Sequence, residues 1–217
     1  MVSATSEIAP SRRERKKLQT RRALHRAAVQ LVGKRGFEHV TVEDIADAVD
    51  VSRRTFFNYF ASKEEALIGQ DPEAAERVRE ALLARPHVEP PLESLRVVLA
   101  ALAGEIASDR EDWLAHRTLI RAEPRLLSAH LARWAAFERA LVHAVAQRTG
   151  CDPERDLYPA LVVASAVGAT RVALMRWRTR GKAPLRALVA EAFAALAAGL
   201  PAPLHSPARV TARPSVP

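Results

Sequence analysis

An all-α fold is predicted for this chain: a three-helix helix-turn-helix unit followed by a longer helical bundle. Apolar residues recur at i, i+3, i+4 and i+7 along most of the 217 residues. No alternating strand pattern or internal repeat is visible. Residues 41–67 hold two short helices joined by a tight turn and then the start of a third helix.

The elements follow in order. Residues 1–17 are polar and charged and read as a flexible basic arm. The first helix runs from about Leu18 to Lys34, with apolar positions 24, 27, 28, 31 and 32 on one face and Gly36 as its C-terminal cap. Thr41 caps the second helix, in which Val42, Ile45, Ala46 and Val49 share a face, and Ser52 caps the third. Ser62 and Glu65 make a capping box for the next helix, which Gly69–Pro72 interrupts. These segments form a helix-turn-helix DNA-binding domain over 18–70, with Phe37, Phe56 and Phe60 packing it. A second domain spans 71–200. Its helices are expected at 92–107, from a Ser108–Glu111 capping box to near Pro124, at 125–148, from Asp152-Pro153 to about Arg180, and after Pro184. Positions 185, 188, 189, 192, 193, 196 and 200 of the last helix form one apolar stripe. Residues 201–217 hold five prolines and read as a disordered tail.

Charge is unevenly spread. Residues 10–35 contain ten basic side chains and one acid, whereas residues 71–204 contain 18 basic and 16 acidic ones, so the net +8 is concentrated beside the helix-turn-helix. That is an electrostatic footprint for phosphate backbone. The single Cys151 excludes an internal disulfide and a cysteine-cluster metal site. No cofactor or metal is expected: the seven histidines show no metal-ligand spacing and no glycine-rich phosphate loop is present. No nucleophile signature surrounds Cys151, so the chain is not expected to be an enzyme. The longest apolar stretch, 157–170, reads as too short for a membrane span, and no apolar leader opens the chain, so a soluble cytoplasmic protein is expected.

The second short helix of the motif carries side chains suited to base edges. Arg53 and Arg54 open it, and arginine pairs bidentately with guanine O6 and N7. Asn58 can pair with adenine and Phe57 can touch a thymine methyl. Thr41 and Ser52 sit at helix starts, where free N–H groups attract phosphate, and Thr55 suits either role.

This stretch resembles the DNA-binding domain of the TetR family of bacterial transcriptional regulators. The resemblance runs from Thr20-Arg21 through Leu24, Gly36-Phe37, Thr41-Val42, Ile45-Ala46, Val51-Ser52, Tyr59-Phe60 and Lys63 to Leu67, about a quarter of the chain. It implies that Tyr59 and Lys63 contact phosphate. One departure is Asp50, where the family has glycine; aspartate tolerates a left-handed backbone better than most residues.

The same resemblance implies that the C-terminal half dimerises and binds an inducer. Residues 112–141 resemble a subgroup that includes mycofactocin-system regulators and is associated with acyl-CoA-like ligands. Trp113, Ile120, Trp134 and Phe137 supply apolar surface, interleaved with His116, Arg117 and Arg121, and these seven are the candidate ligand-binding residues. A stripe of small residues at 160, 164, 168 and 172 permits close helix approach. With Leu188, Ala192, Phe193 and Leu196 on the last helix, Ala164 and Gly168 make the candidate homodimer interface. The implied function is a one-component repressor, released from a palindromic double-stranded operator by a small-molecule inducer. The alternatives are an activator and a sequence-tolerant DNA-binding protein without inducer.

Overall fold

The computed structural model describes residues 12–69, 74–180 and 184–201. Among these residues it contains ten α-helices and no strand: α1 Arg12–Arg35, α2 Val42–Asp47, α3 Arg53–Phe57, α4 Lys63–Ile68, α5 Ala74–Leu83, α6 Pro91–Ser108, α7 Arg110–Ala122, α8 Pro124–Thr149, α9 Leu157–Arg180 and α10 Leu185–Ala197. Helix α1 begins at Arg12, so the last six residues expected in the arm continue the helix instead. Residues 1–11, the Asp71-Pro72 break and the expected tail from 202 onward lie outside the described residues.

The local rules hold where short polar side chains meet free N–H groups. The Thr41 hydroxyl accepts from Asp44 N while the Asp44 carboxylate accepts from Thr41 N, a complete capping box. Ser52 accepts from Thr55 N at 3.0 Å. Ser62 accepts from Glu65 N, but the Glu65 carboxylate reaches back one residue further, to Ala61 N at 2.7 Å. Two expectations fail. Ser108 is the last residue of α6 and donates to Glu105 O, so it caps nothing downstream. Asp152-Pro153 forms a turn, closed by Asp152 Oδ1 on Glu154 N and Asp156 Oδ2 on Asp152 N, and α9 starts only at Leu157.

Two apolar cores organise the chain. In the first, Leu24, Ile45, Phe56, Phe60 and Leu67 are at most 1% exposed. Truncating a phenylalanine so buried costs about 3–5 kcal/mol. Leu119, Ile120 and Leu126 complete this core, although they belong to α7 and α8. The division expected at 70/71 is therefore crossed by packing, and α7 with the first turns of α8 serves both halves. The second core gathers α5, α6, α8, α9 and α10 around Leu82, Leu95, Leu141, Val163, Val189 and Phe193.

Arg148 on α8 fastens the start of this bundle. Its guanidinium donates to the carbonyls of Leu82, Arg85, Pro86 and Glu89 and to Ser94 Oγ, which closes the α5–α6 connection over free carbonyls at the end of α5. Glu89 takes Arg85 and the Ser94 hydroxyl, and these partners hold its carboxyl down at about 2.

Helix α9 from Leu157 to Thr179 is long and apolar enough to cross a membrane by length and composition, longer than the sequence reading allowed, and 33% of its apolar window is buried. It packs on α6, α8 and α10. Its other face is open: Leu157, Leu161, Val172 and Met175 are 76%, 61%, 51% and 57% exposed.

Candidate nucleic-acid interface and domain junction

Helix α3 stands on the surface, held from below by Phe56 and at its start by the Ser52 cap. The turn before it needs a left-handed residue, and Asp50 supplies it at φ 55°. Arg53, Arg54, Phe57 and Asn58 are exposed on one continuous face. Arg53 is folded back in the free protein, 2.9 Å from Glu43 and over the Phe57 ring at 5.5 Å. Both partners are themselves exposed, so the guanidinium is released at little cost.

The remaining sequence candidates are more committed. Thr41 is exposed but its hydroxyl is shared with Asp44. Thr55 is half-buried, with its hydroxyl 2.9 Å from Ser52 Oγ, so it braces the cap. Tyr59 is half-buried and its carbonyl accepts from Arg21. Lys63 is turned into the domain: Nζ donates to Phe37 O at 2.7 Å and Val40 O at 3.1 Å, over the Phe37 ring. Two of its three donors are thus committed under the 37–40 turn.

The candidate ligand residues lie on α7 and α8. His116 and Ile120 are buried against the DNA-binding core, at 9% and 2% exposure. Spacings of three and four along α7 put residues 116, 119 and 120 on one face, and that face is spent on α1 and α4. Trp113 borders that face and packs on the second core, with Arg117 beside it. Arg117 lies over Trp113 at 5.6 Å, Trp113 meets Trp177 of α9 at 5.7 Å, and Arg110 covers Trp177 at 5.1 Å. Burial, and then the charges of Arg121 and Arg178, push the Arg117 guanidinium down from its usual range. Among the described residues no carboxylate pairs with Arg117, Arg121 or Arg178. Trp134 and Phe137 stack on each other at 5.5 Å and pack on the bundle core, with the indole N–H donating to Glu138.

On α10 two of the candidate interface residues pack within the chain itself. Phe193 is 2% exposed and Leu188 packs on the same core, because the large apolar stripe of α10 closes this chain's own bundle against α6 and α9. Ala192 and Leu196 are half-buried. On α9, Ala164 is exposed and Gly168 half-exposed within the open apolar face.

Sequence reasoning missed the junction between the halves. Arg26 of α1 bridges to Asp109 and Asp112, Arg22 lies 3.4 Å from Glu105, and Glu65 of α4 takes Arg133 of α8 at 3.3 Å. Within this ring sit His25, His116 and His130. Ionic partners between distant helices leave no periodic trace in a single sequence, so only the surplus of arginine signalled them.

Comparisons with known proteins agree with this architecture. Residues 24–68 match the family described as bacterial regulatory proteins, tetR family, and residues 89–201 match the MftR C-terminal domain. The chain is 36% identical over 185 residues to the HTH-type transcriptional regulator TcmR of Streptomyces glaucescens, covering 82% of each chain. It is 26% identical over 193 residues to a proposed mycofactocin biosynthesis transcriptional regulator, MftR, of Mycobacterium tuberculosis, covering 88% of this chain and 96% of that one. Its fold is similar to that of the fatty acid degradation regulator FadR from Bacillus halodurans, with a TM-score of 0.58 at 23% identity over 85% of this chain and 96% of the other. With a tetR-type helix-turn-helix and an MftR-type C-terminal domain on one chain, the protein belongs to the TetR family of bacterial transcriptional regulators.

Proposed function

We propose that the chain is a homodimeric repressor that reads a palindromic operator through Arg53, Arg54, Phe57 and Asn58 and is released by a long-chain acyl-CoA. The observation that carries the ligand assignment is the set of three arginines without carboxylate partners, Arg117, Arg121 and Arg178, beside the Trp113–Trp177 stack. Crowded cations, with Arg117 and Arg178 half-buried and Arg121 exposed, favour an anion, and phosphate accepts charge-assisted hydrogen bonds from guanidinium groups. The adjoining aromatics suit an acyl chain.

The open face of α9 supports the dimer. Leu157, Leu161, Ala164, Gly168, Val172 and Met175 leave an apolar stripe about 27 Å long at 1.5 Å per residue. An exposed stripe of that length on a soluble bundle marks an association surface. The ligand acts only through unequal affinity for the operator-fitting and non-fitting arrangements of the two DNA-binding units. An operator selected from random DNA, titrated with acyl-CoAs and read by anisotropy, tests the proposal. Release by long-chain acyl-CoA, weaker release by the free fatty acid, and blunted release for Arg117→Ala/Arg121→Ala with operator affinity intact are expected. Absence of release below the micelle-forming range overturns the ligand assignment.

A further inference from the structure

The junction between the DNA-binding unit and the bundle is built on three imidazoles. His25 comes from α1, His116 from α7 and His130 from α8. The His25 and His116 rings meet edge to face with centroids 5.1 Å apart, and the His116 and His130 rings lie 6.2 Å apart. His25 Nδ1 lies 2.8 Å from Ala66 O; a carbonyl only accepts, so Nδ1 carries the proton. That carbonyl belongs to α4, so the His25 ring ties α1 to the last turn of the DNA-binding unit, and His116 packs against that ring from α7. His116 Nε2 and His130 Nδ1 are buried without any hydrogen-bond partner.

The charges around this cluster oppose an imidazolium at His116 and His130, whereas Asp112 and Asp109 favour one at His25 against its burial. From α1, Arg26 opposes a charge on His25. From α7, Arg117 opposes one on His116, and Asp112 with Asp109 at the helix start are already held by Arg26. From α8 no acid faces His130, whose charged neighbour is again Arg117. From α4 the nearby carboxylate, Glu65, is taken by Arg21 and Arg133. Among the described residues no three His, Cys, Asp or Glu side chains converge on a point that a metal ion could occupy, so the cluster is not a metal site.

We propose that His25, His116 and His130 form a proton-sensitive latch: neutral imidazoles seat α1 and α4 on α7 and α8, and protonation unseats the DNA-binding unit and lowers operator affinity. Burial pushes all three histidines down from 6.5, and His116 to about 3, with its neighbours His25, His130 and Arg117 adding to the effect. The sign follows. Rings that become solvated in the unseated state bind protons once pH falls below 6.5, whereas the seated state does not take one at His116 until about 3. Acid therefore favours the unseated state throughout that window, by up to about tenfold per pH unit for each proton taken up. The latch rests on the family's DNA-binding activity and is independent of which ligand fills the bundle.

The test measures affinity for a selected operator at constant ionic strength between about pH 7.5 and about pH 5.5, without inducer. His116→Phe keeps an aromatic ring against His25 and takes no proton. The wild type should lose about tenfold or more in affinity across this range, and His116→Phe should lose markedly less. Equal pH slopes for the two proteins overturn the proposal. A second measurement needs no substitution: the imidazole resonances of His116 and His130, followed by NMR in the free full-length protein. Both rings should stay neutral while the junction is intact and take protons only as α1 and α4 contacts are lost. Reversible titration of both rings near 6.5 with those contacts unchanged also overturns it.

Discussion

The His25 imidazole lies so close across Gly69 that a Cβ added to the glycine would fall 2.0 Å from His25 Nδ1. Gly69 also ends α4 with φ 65°, a left-handed backbone that disfavours any side chain. One residue thus closes the DNA-binding unit and admits the ring that joins it to the bundle.

Gly69→Ala should accordingly damage the junction more than an ordinary surface change. The left-handed backbone alone costs about 1–2 kcal/mol for an L-residue, and the clash forces His25 off Ala66 O. Reduced thermal stability together with weaker operator binding is expected. A variant with unchanged melting temperature and affinity would contradict the packing described for these two residues.

Arg53→Ala should weaken specific binding by about 1–3 kcal/mol and relax preference at one position in each half-site. Stability should barely change, because the Arg53–Glu43 pair is exposed. The check is a binding-site selection repeated with the variant. An identical base preference would remove Arg53 from the reading set.

Asp50 carries positive φ in the turn between α2 and α3. Asp50→Gly should be neutral or slightly stabilising, whereas Asp50→Val should cost about 1–2 kcal/mol, because a β-branched side chain fits this region poorly. Chemical denaturation of the three proteins measures the ranking. Valine matching aspartate in stability would mean the turn relaxes freely.

These residues also mark how far the sequence could be read. Caps at Thr41, Ser52 and Ser62 were legible because each hydroxyl accepts the backbone N–H three residues on. The left-handed Asp50 was legible because it occupies a turn position of fixed conformation. Asp152 and Ser108 misled, since the same cap-forming residues also close turns and helix ends. The surroundings of His116, Ile120 and Phe193 were not legible for another reason. Amphipathic spacing shows that a face is buried but not against what, and here α7 turns toward the DNA-binding unit while α10 seals its own bundle. Arg148 could not be singled out, because its carbonyl partners at 82–89 are set by chain reversal rather than by local pattern.

The central claim is that this TetR-family chain reads one palindromic site as a dimer and lets go when the bundle is filled. Selection of full-length protein against random DNA, followed by footprinting with and without long-chain acyl-CoA, tests it most directly. The account predicts enrichment of an inverted repeat, protection of both half-sites by two copies, and loss of protection on adding the ligand. Equal affinity for every sequence, with no repeat enriched and no response to ligand, would contradict it and leave a sequence-tolerant DNA-binding protein in its place.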